Sequence, residues 1–241
     1  MSKLEAKIVS YDFGRHNTDI DTATAKLIKG DTWKRQRIIV VIPADKLMPS
    51  RVSLALWNLI FPPNNGVCKL LCEGMEVGHA YSNAMEQILA HPELSKWEWV
   101  LTVEHDNIPP PDGVINLIEA MQEHKELSAI SGLYWCKGEG GCAHIWGDIN
   151  DPIPNFRPQV PKIEQVHECV GLSMGFTLWR LKMFHDKRLP RPLFQTKVSA
   201  VEGVGTQDLM FWREARKYGY RCAVDTRVKV GHLDIETGFC W

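Results

Sequence analysis

The sequence predicts an α/β fold: a mainly parallel central sheet flanked by helices, in a single domain. Three observations predict it. Apolar runs of strand length alternate with segments of helical period from Ile38 to Leu133, as in successive strand–helix–strand units. Polar residues close three consecutive strands, at Pro43-Ala44-Asp45, Glu73-Gly74 and Glu104-His105-Asp106, and ligands of open α/β sheets bind beyond the carboxyl ends of their strands. The length of 241 residues, with 44% hydrophobic and 24% charged, suffices for one substantial core.

Residues 1–36 read as an N-terminal arm, with strand character at Lys7–Tyr11 and a helix or ordered arm over Asp19–Lys29. Ile38–Ile42 is a continuous apolar run typical of a central parallel strand covered on both faces. Ser50 is a plausible N-cap for a buried helix over Val52–Ile60, which the Pro62-Pro63-Asn64-Asn65-Gly66 run stops. Val67–Cys72 is the second strand. Val77, Tyr81, Ala84, Met85 and Ile88 recur at helical spacing up to His91-Pro92. Trp99–Asn107 is the third strand, ended by Pro109–Pro111, which cannot continue a sheet. Asp112 begins a helix with Val114, Leu117, Ile118 and Met121 on one face, and Ser128–Leu133 is a further strand.

The second half changes character. Trp135–Pro161 is rich in Gly, Pro, Asn and Asp and predicts long loops, which in compact domains are commonly lids or binding surfaces. Val166–Trp179 is strand-like around Gly171 and Gly175. Lys182–Arg191 reads as a solvated charge run. Thr206–Tyr218 is a helix with Gly219 as its stop, and Tyr220–Val230 returns to strand character before Gly231-His232. No linker divides the chain.

A formal net charge of −1 gives no global pull towards nucleic acid or acidic membranes. Met1–Asn17 lacks a signal-peptide pattern, and the apolar run Val52–Phe61 is too short to span a bilayer. The seven cysteines are odd in number and scattered, which predicts reduced thiols and a cytoplasmic protein. Cys136, Cys142 and His144, followed by His167 and Cys169, do not match the spacing of a paired Cys-x-x-Cys zinc site.

Glu104 and Asp106 stand two residues apart, so on extended backbone they project to the same side. Two such carboxylates repel unless a cation lies between them, and a divalent ion with oxygen ligands answers that need; the plain alternative is a solvated acidic turn. Asp208 opens the late helix on the same face as Phe211, Trp212, Ala215 and Tyr218. It is either a helix-dipole acid or a general base facing a cleft. His232 ends a strand, and imidazole with carboxylate suits Mn²⁺ or similar ions if the two meet. Asn83 lies off the apolar face of its helix.

These segments, in this order, resemble nucleotide-sugar-dependent glycosyltransferases of the GT-A fold, a Rossmann-like architecture, and especially the family-2-like group. The likeness runs over roughly residues 38–232. It is carried by Ile38–Ala44, Leu70-Leu71-Cys72-Glu73-Gly74, Ser82-Asn83-Ala84, Val103-Glu104-His105-Asp106-Asn107-Ile108-Pro109-Pro110 and Gly205-Thr206-Gln207-Asp208-Leu209, then Asp225 and Gly231-His232. Gly171–Arg180 resembles the family's acceptor-side strand. Glu104 stands where the family motif has its first Asp, Gln207 where an acid usually precedes the base, and Ala44-Asp45 where a Thr and an aromatic usually follow the proline.

The resemblance implies metal-dependent, inverting transfer of a sugar from a nucleotide-diphosphate donor, a UDP-sugar above all, to an acceptor hydroxyl. Asp208 would be the base. Asp106 and His232 would hold Mn²⁺ or Mg²⁺, with Glu104 on the ion or the ribose. Pro43, Ala44, Glu73, Gly74, Asn83, Glu104 and His105 would contact the donor. Residues 37–135 would form the nucleotide-sugar half and 136–241 the acceptor and catalytic half, with the Gly-rich 136–147 segment, Trp135 and Trp146 folding over the donor. The acceptor stays open among a glycan, a protein, a small molecule and a modified DNA base. Two other readings compete: a nucleotidyltransferase on a related scaffold, and a non-catalytic nucleotide-sugar or glycan-binding protein.

Overall fold

The computed structural model describes residues 36–62, 66–138, 140–199 and 203–241. Apart from Gln36, the N-terminal arm expected over residues 1–36 lies outside them.

A seven-stranded, mostly parallel sheet flanked by helices forms the centre, as the alternation predicted. Its strands are β1 (Ile38–Ala44), β2 (Val67–Glu73), β3 (Trp99–Val103), β5 (Ala129–Leu133), β7 (Val166–Cys169), β9 (Phe176–Arg180) and β12 (Cys222–Lys229), in the order β2-β1-β3-β9-β5-β12-β7. β1 pairs in parallel with β2 and β3, and β12 with β5. Two strands run the other way: β9 lies antiparallel between β3 and β5, and β7 forms the antiparallel edge beyond β12; outside this sheet β10 (Lys197–Ser199) pairs antiparallel with β11 (Gly203–Gly205).

The period-two alternation of the strands divides the core in two. One face carries Ile39, Val41, Val100, Trp179 and Val224 and packs under helices α2 (Val77–Ala90) and α4 (Gln207–Ala215) through Tyr81, Met85, Phe211 and Trp212. The other carries Ile38, Val40, Leu101, Val103, Ile130 and Leu178 under α3 (Gly113–Glu123), whose apolar stripe Val114, Leu117, Ile118 and Met121 is fully buried. Helix α1 (Ser50–Trp57) borders this second core. On the first face Trp179 and Trp212 stack at 5.4 Å and 15°. The polar groups inside the sheet are partnered: the Trp179 indole N–H donates to Thr102 Oγ1 at 3.0 Å, and Ser131 Oγ donates to the Phe176 carbonyl at 3.1 Å.

Several expectations need correction. Ser50 is the first helical residue, not the cap: Pro49 holds the N-cap position, no side chain caps the helix, and the helix ends at Trp57. Beyond that end, the Ile60 N–H donates to the Pro111 carbonyl, a tertiary bond that draws this segment out of the helix. The strand predicted to run to Asn107 stops at Val103, so extended backbone is not what aims Glu104 and Asp106. Trp135–Pro161 is not wholly loop. It folds as a hairpin that carries β6 (Ile145–Trp146), paired with β8 (Gly171–Leu172).

Candidate active site

The Glu104–Asp106 segment is a turn closed by the Asn107 N–H donating to the Glu104 carbonyl at 3.1 Å. It is anchored on both sides. The Glu104 N–H donates to the Gly175 carbonyl at 3.0 Å, and the Leu233 N–H donates to the Asp106 carbonyl at 2.8 Å. Just beyond the turn, β4 (Asn107–Ile108) pairs antiparallel with β13 (Gly231–His232), His232 opposite Asn107. Backbone pairing thus brings His232 from the end of the chain to Asp106.

The geometry between these two side chains is informative. His232 Nδ1 lies 2.6 Å from the Trp135 carbonyl, which can only accept, so Nδ1 carries the proton. Nε2 then faces Asp106 Oδ2 at 3.4 Å. In the neutral ring that nitrogen is a lone pair aimed at an anion, an arrangement that asks for a cation, proton or metal, between them. Asp106 Oδ1 is buried with no hydrogen-bond partner, and a buried unpaired carboxylate oxygen is costly unless something positive meets it. Lys137 supplies one positive charge, its Nζ 2.5 Å from Oδ2. Burial pushes the Asp106 carboxyl up, but the hydrogen bonds and charges of His232 and Lys137 outweigh it and hold it down at about 2.

Glu104 behaves oppositely. Some of its surface meets solvent, but the carboxyl group is enclosed by protein. Burial first, then the charges of Asp106 and Asp208, push it up to about 8. Glu104 therefore holds its proton more tightly than Asp106 does.

Asp208, 7% exposed, stands in the first turn of α4, where its Oδ1 accepts the Leu209 N–H at 2.8 Å. Burial raises its carboxyl above the usual range, against the pull of Thr206, Leu209 and Ser173. As predicted, Phe211, Trp212 and Ala215 share its buried face; Tyr218 does not, being 38% exposed on the 3₁₀ turn after the helix.

Behind the acids lies an aromatic wall. Tyr134 stacks on His144 at 4.4 Å and meets the edge of His232 at 5.7 Å, while its hydroxyl accepts the Gly175 N–H at 2.9 Å. Gly175 must be glycine here, because a Cβ would lie 2.5 Å from Asn107 Oδ1 and 2.8 Å from the Tyr134 hydroxyl. His144 Nδ1 meets Ser173 Oγ at 2.6 Å, and that oxygen also accepts the Trp146 indole N–H at 3.0 Å. Burial holds the His144 ring neutral down to about 3.

The other predicted donor contacts lie at the ends of β1 and β2, in the acid turn and on α2. Pro43 and Ala44 end β1 opposite Cys72 and Glu73, and the Gly74 N–H, at φ +71°, donates to the Ala44 carbonyl at 3.1 Å. Asn83 is exposed on α2, its Nδ2 3.3 Å from Met75 Sδ. His105 Nε2 lies 4.0 Å from Asp45 Oδ2. A cavity of about 900 Å³, lined by Arg51, Ile108, Trp135, Arg227, Gly231 and Trp241 among others, shares Trp135 and Gly231 with the elements around His232 but does not include Asp106, Asp208 or His232.

Among the described residues no group of three His, Cys, Asp or Glu side chains forms a metal cage. Asp106 and His232 offer two donors, so further donors would have to come from a bound ligand. Sequence reading missed Lys137, Ser173 and Tyr134. A lysine beside a Gly-rich turn is a weak signal for the first; nothing local marks the other two. Of the cysteine and histidine set, Cys136, Cys142 and His144 do meet, whereas the His167 ring accepts the Lys162 N–H and Cys169 is buried in the core.

No protein-family model matches the chain, and no curated protein sequence is significantly similar to it. Solved structures are similar in shape. A197 from STIV superposes with a TM-score of 0.58 at 15% identity, covering 83% of this chain and 87% of that one. S. aureus TarS 1–349 in complex with UDP-GlcNAc gives 0.45 at 14% identity, over 78% of this chain and 55% of that one; TarS 1–349 without it gives 0.44 at 13%, over 78% and 57%. The chain thus spans little more than half of the TarS structures. The likeness to A197 shows a shared α/β fold.

Proposed function

We propose that this chain is a GT-A-like glycosyltransferase that moves a sugar from a nucleoside-diphosphate donor, a UDP-sugar foremost, to an acceptor hydroxyl. The observation that carries the reading is the contrast between two aspartates whose charges both act on Glu104. Asp106 is held ionised by cationic partners and keeps one bare oxygen, while Asp208 is raised, buried and without a basic side chain among its hydrogen-bond partners. Environments that push two carboxyls apart assign them different roles.

Asp208 takes the proton from the acceptor hydroxyl as that oxygen attacks the anomeric carbon, which inverts the sugar; Ser173, Thr206 and the Leu209 N–H orient its carboxylate. Asp106 and His232 would hold a divalent ion such as Mn²⁺ or Mg²⁺. Such an ion, when bound, neutralises the charge that gathers on the departing diphosphate. Lys137 leaves Asp106 when the donor arrives. Glu104, protonated, donates to the ribose. Pro43, Ala44, Glu73, Gly74, Asn83 and His105 line the nucleotide side, and Trp135 with the hairpin beyond it excludes water from the sugar.

No helix among the described residues is long and apolar enough to cross a membrane. The acceptor is a glycan, a protein, a small molecule or a modified DNA base.

The test is a donor screen: nucleotide sugars incubated with the protein with and without Mn²⁺, scored by nucleoside-diphosphate release. Cation-dependent release supports transfer. Pyrophosphate release from a nucleoside triphosphate and a sugar phosphate would establish a nucleotidyltransferase instead. Binding without turnover would leave a nucleotide-sugar-binding protein.

A further inference from the structure

The hairpin that carries Lys137 is closed by two thiols. The Cys136 N–H donates to the Cys142 carbonyl at 2.8 Å, one position inside the Trp135–Ala143 bridge, so the two cysteines oppose each other directly across the hairpin. α-Carbons of residues directly opposite in an antiparallel pair lie about 4.5–5.5 Å apart, inside the range of about 4.4–6.8 Å that a disulfide accepts. The two Sγ atoms are already 3.5 Å apart. Both residues are half-buried, within reach of a small oxidant. The turn between them includes Gly138 at φ +102° and Gly140 at φ +70°, and its first residue, Lys137, reaches Asp106.

We propose that Cys136 and Cys142 form a reversible intrachain disulfide that fixes Lys137 against Asp106, so that the redox state of the hairpin sets access to that carboxylate. The reaction is thiol–disulfide exchange with a low-molecular-weight disulfide such as oxidised glutathione. One cysteine thiolate attacks it, forming a mixed disulfide and releasing one small thiolate. The second cysteine attacks the protein sulfur of that mixed disulfide, forming the Cys136–Cys142 bond and releasing the second. The two protons of the protein thiols pass through solvent to the released thiolates; the protein is oxidised by two electrons and the small disulfide is reduced by two.

Burial and the neighbouring Cys142 push the Cys136 thiol up to about 11. The pair therefore rests as a dithiol at neutral pH, and exchange speeds up as pH rises. Joined, the sulfurs tie the residue before Lys137 to the opposite strand, which favours the Lys137–Asp106 contact over its open alternatives. Cys169 and Cys222 also face each other, across β7 and β12. They are fully buried and the Cys222 thiol donates to the Cys169 carbonyl, so they serve as an internal control.

The experiment equilibrates the full chain in glutathione buffers from reducing to oxidising, traps free thiols by alkylation and maps peptides by mass spectrometry. Lys137 reactivity is read in parallel by limited acetylation. The expected result is a Cys136–Cys142 cross-link lacking two hydrogen atoms, with Cys169 and Cys222 still free, and Lys137 acetylated at least about twofold more slowly once the link forms. Cys136→Ser and Cys142→Ser should each hold Lys137 at the reduced rate in every buffer. Full alkylation of Cys136 and Cys142 in the most oxidising buffer overturns the proposal. So does a cross-link that leaves Lys137 acetylation in the unsubstituted chain unchanged, a readout that needs no variant to fold.

Discussion

The Lys137 ammonium lies 2.5 Å from Asp106 Oδ2, bridging residues 31 positions apart. A side chain thus sits on the carboxylate proposed to hold a divalent ion, where the two cations would compete. Lys137→Met removes the competitor. Partly exposed pairs of this kind contribute about 0.2–1 kcal/mol, so Mn²⁺ should bind the variant about 1.4- to fivefold more tightly, measured by direct titration. Unchanged or weaker binding would show that Lys137 does not occupy the ion's place.

Asp208→Asn keeps the shape of the helix terminus but removes the basic oxygen. Transfer to the acceptor should fall by about 10²–10⁴-fold, while the donor dissociation constant stays within about twofold, since the proposed base would act on the acceptor. Near-normal turnover would remove the base assignment.

Mn²⁺ with nucleoside diphosphate should raise the melting temperature of the unsubstituted protein, and Asp106→Asn and His232→Ala should each abolish that rise. A melting-temperature rise with ligand that survives both changes would place the ion elsewhere.

Glu104 predicts a pH-dependent penalty in the metal-free protein. Its value rises from 4.5 unfolded to about 8 folded. As pH climbs, the unfolded chain loses this proton near 4.5, while the folded state holds it until about 8. The stability that protonated Glu104 confers is full below 4.5 and is lost across that window. In chelator, Glu104→Gln should melt close to the unsubstituted protein at pH 4 and above it by pH 8, the gap widening steadily between; a constant gap would mean that Glu104 ionises normally.

Gly175→Ala drives a methyl group into Asn107 and the Tyr134 hydroxyl. Overpacking of this kind costs about 1–3 kcal/mol. Denaturant unfolding should show that loss, and the shifted Tyr134 should loosen His144 and His232 and weaken Mn²⁺ binding as well. An unperturbed midpoint would mean that the turn carrying Glu104 can move aside.

The elements of the first half were legible because their signals are local. β1 is a seven-residue run buried throughout, and α3 carries its four apolar positions on one buried stripe. The late helix starts at Gln207 and gives way to a 3₁₀ turn that ends at Gly219, φ +83°. Periodicity and stop residues suffice for such elements, and the acids at the strand ends followed from them. β9 was not legible as an antiparallel insert between β3 and β5: strand direction leaves no trace in a run such as Phe176–Arg180, and only pairing decides it.

The same division holds at the site. The chain by itself singled out Glu104, Asp106, Asp208 and His232 by residue type and by position at element ends. Tertiary structure decided their relations. The β4–β13 pairing put His232 beside Asp106, the turn after Val103 rather than an extended strand aimed the two acids, and a hairpin more than thirty residues on delivered Lys137. It also decided charge: side chains of the same kind came to differ because one meets cations and the others are enclosed. Residue type is a property of sequence, whereas ionisation depends on solvent and neighbours, which only the folded chain supplies.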